Sequence, residues 1–306
     1  MAEMAEHLYR DGSGEPIVFL HGFTGTWHHW RPLLGPLAER FEVIAPTLAG
    51  HDGGPPYPAD CDVTFEQGAD SLEHHLDELG VGNAHLVGNS MGGALALELA
   101  KRGRARSVVA LAPAGGWTDG DDETRRLARF FARQLRLTKA MGPRLPGILC
   151  RPRTRRLALR DAMCRGDRLT PSEALDLAHR SIRCEIADRA ISGLVAGHTR
   201  PLADLDRITC PVLLASPQFD RILPPARHAP RFRREIPGVE ARTLVDCGHV
   251  PMWDDTPMLV SMISEFVDRH SHGAAPRATD GLASRAKERA ASQPTEPAGE
   301  DAAVVG

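Results

Sequence analysis

Up to Gly115 the chain alternates short apolar runs with longer amphipathic stretches. "PIVFL" (16–20) is a run of that kind before His21-Gly22, and it predicts a strand buried on both faces. "TWHHWRPLLGPLAERF" then predicts a helix capped by Thr26, with Trp30, Leu33, Leu34 and Leu37 on one face. "EVIAP" (42–46) reads as the next strand, and the glycines and prolines of "LAGHDGGPPYP" as a loop. Thr64 and Gln67 form a helix-start signature. Phe65, Ala69, Leu72, Leu76 and Leu79 keep a helical period that Gly80 closes. "AHLVGN" predicts a strand, "SMGGALALELAKRG" a helix ended by Gly103, and "RSVVALAP" another strand. Strand and helix alternating at this spacing imply a parallel sheet covered on both faces.

From Trp117 to about Arg200 the strand signal stops. Helical stretches are expected at Asp122–Thr138, Thr154–Cys164, from Thr170-Pro171 with Glu173, and at Ser181–Val195. Strand character returns with "CPVLLAS" (210–216) and "VEARTLVD", separated by the helix "PARHAPRFRREI" and followed by the helix "MLVSMISEFVDRH". Residues 1 to 15 have room for at most one short strand and a turn at Asp11-Gly12. The expected fold class is therefore α/β: a mostly parallel sheet of about six to seven strands, helices on both faces, and an inserted helical cap. The expected domains are a core at 1–116 and 201–272, a cap at 117–200 and a disordered tail at 273–306, where large apolar residues are too few to build a core.

Composition narrows the function classes. A formal net charge of −3 disfavours a nucleic-acid binder. Between Asp121 and Thr170, however, 14 Arg and Lys face 5 Asp and Glu. Such a run suits a solvated helical face, an anionic substrate or a phospholipid surface. The six cysteines form no CxxC pair and no zinc spacing, so reduced thiols and no metal or cofactor are expected. His74 and His75 point about 100° apart on their helix, which does not suit a paired metal site. The start lacks the apolar core of a signal peptide, and no apolar run reaches membrane-spanning length, so a cytoplasmic protein without membrane insertion is expected. The oligomeric state is not legible.

The chemistry centres on Gly88-Asn89-Ser90-Met91-Gly92. Chance would produce roughly 0.1 G-x-S-x-G matches in a chain of this composition, so the pattern alone is a fair signal. Its setting strengthens it: a buried strand enters and a helix leaves, as a strained nucleophile turn requires. The glycines let the strand and helix backbones approach closely, and the helix N-terminus favours a developing anion. A serine hydroxyl needs a base, and the base needs an orienting acid. Asp220 and His249 follow later strands in that order. Asp246, three residues before His249, and Asp119 to Asp122 are rival acids.

"PIVFLHGFTGT", "VIAPTLAGH", "VGNSMGGALALELA", "PVLLASPQFDRILPP" and "DCGHVPMWDD" together resemble the α/β-hydrolase family, in its cap-bearing branch of esterases, C–C hydrolases and cofactor-free haloperoxidase-like proteins. The resemblance implies an oxyanion hole made by the backbone N–H groups of Phe23 and Met91, with His21 supporting the first of these loops. The chain departs from the family where Ser216-Pro217-Gln218-Phe219 replaces a Gly-x-x-Asp turn before the acid, and where Thr47 replaces a common Asp. Family members that open epoxides or displace halide carry Asp at the elbow, so Ser90 favours acyl transfer. The resulting expectation is a serine hydrolase acting through an acyl-enzyme on a small-molecule carboxylic ester or related acyl substrate. The alternatives are a C–C bond hydrolase or acyltransferase with the same triad, and a non-catalytic ligand-binding protein. Trp27, Pro113 and Ala114 are candidate pocket-lining residues. Trp27 and Trp30 also suit packing, His28 and His29 are expected at the surface, and Met252 and Trp253 are expected to pack the His249 loop.

Overall fold

A computed structural model describes residues 3, 4, 6–118, 120 and 122–271. The expected tail at 273–306 and the rival acids Asp119 and Asp121 lie outside these residues. Eight strands form one sheet: β1 (Glu3–Met4), β2 (Leu8–Asp11), β3 (Pro16–Leu20), β4 (Glu42–Pro46), β5 (Ala84–Asn89), β6 (Ala105–Leu111), β7 (Val212–Pro217) and β8 (Glu240–Leu244). Their order is β1-β2-β4-β3-β5-β6-β7-β8. The pairs from β4 to β8 are parallel, and β1 and β2 add an antiparallel edge. The sheet thus exceeds the expected six to seven strands, because the first fifteen residues supply two strands and not one. Tyr9 lies opposite Ala45, and Arg10 reaches Glu42 at 2.6 Å, so long-range pairing orders a segment whose local pattern is weak.

Alternation along the strands sorts the core into two layers. Val18, Leu20, Leu86, Val108 and Leu214 pack against α2 (Phe65–Glu78), α3 (Met91–Lys101) and α9 (Pro225–Glu235). Ile17, Phe19, Val87, Val109 and Leu213 pack against α1 (Arg31–Ala38) and α10 (Thr256–Ser271). Thr64 caps α2 by accepting from the Gln67 N–H.

Between β6 and β7 the described residues form five helices: α4 (Glu123–Met141), α5 (Leu145–Leu149), α6 (Pro152–Ala158), α7 (Pro171–Ile182) and α8 (Ala187–Ala196). Thr170 and Glu173 make a reciprocal capping box at α7, with Pro171 in the first turn. The stretch expected at Thr154–Cys164 ends at Ala158, and the one expected from Ser181 starts at Ala187. The helix expected from Thr26 begins as a 3-10 turn, Trp27–Trp30. That turn folds His28 inward, where it stacks on Trp27 with ring centroids 3.9 Å apart; His28 is buried and His29 half-buried, against the expected exposure.

The turn after β5 depends on bare backbone. A Cβ on Gly92 would lie 2.0 Å from the Leu20 carbonyl oxygen, and one on Gly88 2.2 Å from that of Gly92. Gly92→Ala is therefore expected to destabilise the protein by about 3 kcal/mol or more, at the upper end of overpacking, read from chemical denaturation. Gly35→Ala, with nothing within 4 Å of its added Cβ, is expected to leave stability unchanged or slightly raised.

Candidate active site

Ser90, Asp220, His249, Phe23 and Met91 of the sequence-predicted site residues lie at the C-terminal ends of the parallel strands, the usual ligand-binding edge of an α/β sheet. Ser90 follows β5 at φ 56° and ψ −116°, a strained conformation for a residue with a side chain. Its backbone is fixed on both sides, the N–H donating to Leu111 O at 3.0 Å and the carbonyl accepting from Ala94 and Ala114. The Ser90 hydroxyl makes no hydrogen bond to His249 among the described residues, but both residues border one cavity. Such contacts often tighten only when substrate binds.

Asp220 follows β7 and His249 follows β8. Their Oδ2 and Nδ1 atoms are 2.7 Å apart, and both side chains are buried. The other oxygen of Asp220 accepts from the Ile222 and Leu223 N–H groups, each at 2.8 Å. The other ring nitrogen of His249 has no hydrogen-bond partner among the described residues. The rival Asp246 instead makes a turn beyond β8, at φ 57°, where its N–H donates to Gln218. Asp122 is exposed and pairs with Arg125. Phe219, in the turn that departs from the family pattern, donates its N–H to Cys247 O and so ties the acid loop to the histidine loop.

The Phe23 and Met91 backbone N–H groups donate to no acceptor among the described residues, and both residues border the cavity that Ser90 borders. His21 braces the Phe23 loop: its Nε2 accepts from the Leu48 N–H at 2.9 Å, and its Nδ1 donates to Gly22 O at 2.9 Å. Complete burial pushes its pKa well below the usual histidine value, so the ring is neutral. Thr47 is buried, and its hydroxyl accepts from the Trp27 N–H.

Ala114 borders the Ser90 cavity. Pro113 and Trp27 do not. Pro113 packs against Gly93, and Trp27 is buried between Tyr9 and His28 with its indole N–H on Glu6 O. The core needs that large ring more than the pocket does. Among the described residues no cluster of three His, Cys, Asp or Glu side chains is placed to hold a metal, and no helix is long and apolar enough to cross a membrane.

Two positioning residues escaped the sequence reading. Asn89 donates its amide to His249 O at 2.9 Å and Leu111 O at 3.2 Å, so the elbow itself holds the histidine loop. Its only sequence signal was its place beside Ser90. Asp254 is buried and accepts from the N–H groups of Gly248, Cys164 and Arg165 at 2.7, 3.0 and 2.7 Å. It joins the His249 loop to the helical segment, helped by the Val250 N–H on Ala162 O at 2.7 Å.

Asp254→Ala would leave three backbone donors without their acceptor. It is expected to cost about 3 kcal/mol in chemical denaturation, against about 1 kcal/mol for Asp255→Ala, which removes only a helix-start contact to the Met258 N–H. Acid lability follows from the buried histidines. Burial lowers the pKa of His29, His51 and His85 from 6.5 to about 4. The unfolded chain takes up these protons first, so the stability they contribute is complete above pH 6.5 and is lost as pH falls towards 4. The melting temperature is expected to drop across that window in a calorimetric pH series, and His85→Asn to flatten the drop.

The profile of the alpha/beta hydrolase family matches residues 17–260. Among characterised relatives, the chain is 33% identical to the epoxide hydrolase EphH of Mycobacterium tuberculosis, over 65% of this chain and 93% of that protein. It is 34% identical to the 2-hydroxymuconate semialdehyde hydrolase of a Pseudomonas species, over 43% of this chain and 52% of that protein. Its fold matches that of a thermophilic esterase from Thermogutta terrifontis with a TM-score of 0.66 at 24% identity, covering 86% of this chain and 93% of the other. With its sheet order, strand-end site and family match in agreement, the chain belongs to the α/β-hydrolase family.

Proposed function

We propose that the protein is a serine hydrolase of carboxylic esters. The observation that carries this reading is the bonded pair His249–Asp220, at 2.7 Å, bordering the cavity that Ser90 borders at its strained turn. In this reading Ser90 attacks the ester carbonyl while His249 takes its proton. Asp220 holds the Nδ1–H of His249, which leaves Nε2 as the base. The Phe23 and Met91 N–H groups receive the developing oxyanion, each worth about 2.7–4 kcal/mol on mutational precedent. Water activated by His249 then releases the acid from the acyl-enzyme.

Epoxide opening does not suit a serine at this turn. A carboxylate that opens an epoxide forms an ester, which water can cleave. A serine that did so would form an ether, which the same site could not hydrolyse. Ser90 therefore supports attack on a carbonyl. The relative named for 2-hydroxymuconate semialdehyde favours a second reading, in which the same residues cleave a carbon–carbon bond beside a carbonyl. A binding protein would have no use for the His249–Asp220 pair.

A fluorophosphonate probe is expected to label Ser90 and not the Ser90→Ala variant, read by intact-mass spectrometry. Turnover of p-nitrophenyl esters is expected to fall by about 10³-fold or more in Ser90→Ala or His249→Ala. Absence of labelling would sink the nucleophile assignment. Labelling without turnover of any ester would favour the carbon–carbon reading.

A further inference from the structure

Two cavities meet at Ser90, and Phe23, Phe131 and Ile222 border both. The smaller, about 100 Å³, is walled by Phe65, Leu72 and Leu95 of α2 and α3 and by Leu127 and Leu194 of α4 and α8. None of the described residues bordering it is exposed, so it is the inner, blind arm of the two. The larger, about 330 Å³, is bordered by Leu145, Leu149 and Leu177 within and by the exposed Gln134, Leu137 and Ala158 at its rim, so it opens to the surface. His249 borders the open arm and not the blind one.

That asymmetry orients the substrate. In the first half-reaction the Ser90 Oγ–carbon bond forms and the serine proton passes to His249. The carbon–oxygen bond to the alcohol then breaks, its electron pair stays on the alcohol oxygen, and His249 returns the proton there. The leaving oxygen must lie within hydrogen-bond reach of His249, which places the alcohol in the open arm and the acyl group in the blind arm. The alcohol can depart through the mouth while the acyl group stays seated. Water then enters by the same route, gives a proton to His249 and bonds its oxygen to the acyl carbon; the Ser90 Oγ–carbon bond breaks, His249 returns the proton to Oγ, and the acid leaves.

Size and charge narrow the substrate further. The blind arm is smaller than the roughly 150 Å³ cavity that holds a benzene ring. Among the described residues no Lys or Arg borders either arm. Asp161, the one carboxylate bordering the open arm, has its counter-charges Arg160 and Arg221 at 3.9 and 3.7 Å. Burial keeps His51, beside the blind arm, and His29, beside the open arm, uncharged near neutral pH, each with its pKa lowered to about 4. His51 Nε2 has no partner among the described residues, so it can accept a hydrogen bond from water or a hydroxyl but supplies no cation. His75, which also borders the blind arm, has the Glu78 carboxylate 3.4 Å from its Nδ1, so a carboxylate carried into either arm would meet no unmatched cation among the described residues.

We infer that the substrates are uncharged esters joining a short apolar acyl group to a larger apolar alcohol. This rests on the serine-hydrolase reading above and specifies its substrate class.

The test uses the full chain and two ester series. One keeps 1-naphthol as the alcohol and lengthens the acyl group from acetyl to dodecanoyl. The other keeps butanoyl and enlarges the alcohol from methyl to naphthyl and dodecyl. In the first, kcat/KM is expected to peak at a short acyl group and to fall by about tenfold or more at dodecanoyl. In the second it is expected to hold or rise with size. Naphthyl hemisuccinate, which carries a carboxylate into the blind arm, is expected to turn over about tenfold or more slowly than the butanoate. Leu194→Ala should move the acyl optimum to longer chains and leave the alcohol series unchanged. Leu137→Trp should slow the large alcohols and leave the acyl optimum unchanged. A preference for long acyl groups with small alcohols, or efficient hemisuccinate turnover, overturns the inference while fluorophosphonate labelling of Ser90 persists. Loss of that labelling in the unmutated protein overturns the hydrolase reading, and this inference with it.

Discussion

The first turn of α3 lies against the end of β3 at a distance that no side chain can enter. With the Leu20 carbonyl oxygen 2.0 Å from where a Gly92 Cβ would sit, the helix presses its N-terminus onto the sheet. The chain must then reverse within one residue, Ser90, at φ 56°. That backbone strain aims the side chain at the strand ends, and the two core layers on either side of the sheet hold it there. The same contact sets the Met91 N–H, the first of α3, beside Ser90 with no acceptor among the described residues. A candidate nucleophile and one candidate oxyanion donor thus come from a single steric constraint.

The other half of the site is held by loops, and the segment between β6 and β7 stiffens them. Arg126 of α4 donates to Ile222 O, whose own N–H donates to Asp220. Asp254 joins the His249 loop to Cys164 and Arg165, and Asn89 ties the same loop to the elbow. The helices between β6 and β7 are therefore bonded to both the Asp220 loop and the His249 loop. Any motion that admits substrate is more easily borne by the rim of the open arm, where Leu137 and Ala158 are exposed, than by residues 162–165.

Most of this was legible in the sequence where local pattern and packing agree. Buried strands announce themselves as unbroken apolar runs, and Ser90 and Asp220 follow two of them, whereas His249 follows the largely exposed, polar β8. The pattern failed where tertiary contact decides. Residues 8–11 are a strand because β4 offers an edge, and His28 is buried because a 3-10 turn, not an α-turn, follows Thr26. Trp27 is a core residue because its indole N–H finds Glu6 O across the sheet edge. Asn89 and Asp254 act through hydrogen bonds to backbone atoms far away in sequence, and no spacing rule encodes such partners.

The arginines of the helical segment show why composition was a weak guide. The excess between residues 121 and 170 raised the question of an anionic substrate, yet none of those cations borders either arm at Ser90. Several serve the backbone instead. Buried Arg155 donates to the carbonyls of Leu149, Gly166 and Asp167, and Arg168 to those of Trp253 and Asp254. Arg189, in α8 and beyond that run, does the same for Pro58, Ala59 and Cys61 in the loop before α2. Short helices joined by irregular turns leave many carbonyls without partners. A planar guanidinium with five donors satisfies two or three of them at once. The positive charge is thus partly a consequence of joining β6 to β7 through broken helices, and among the described residues no Lys or Arg borders the cavities at Ser90.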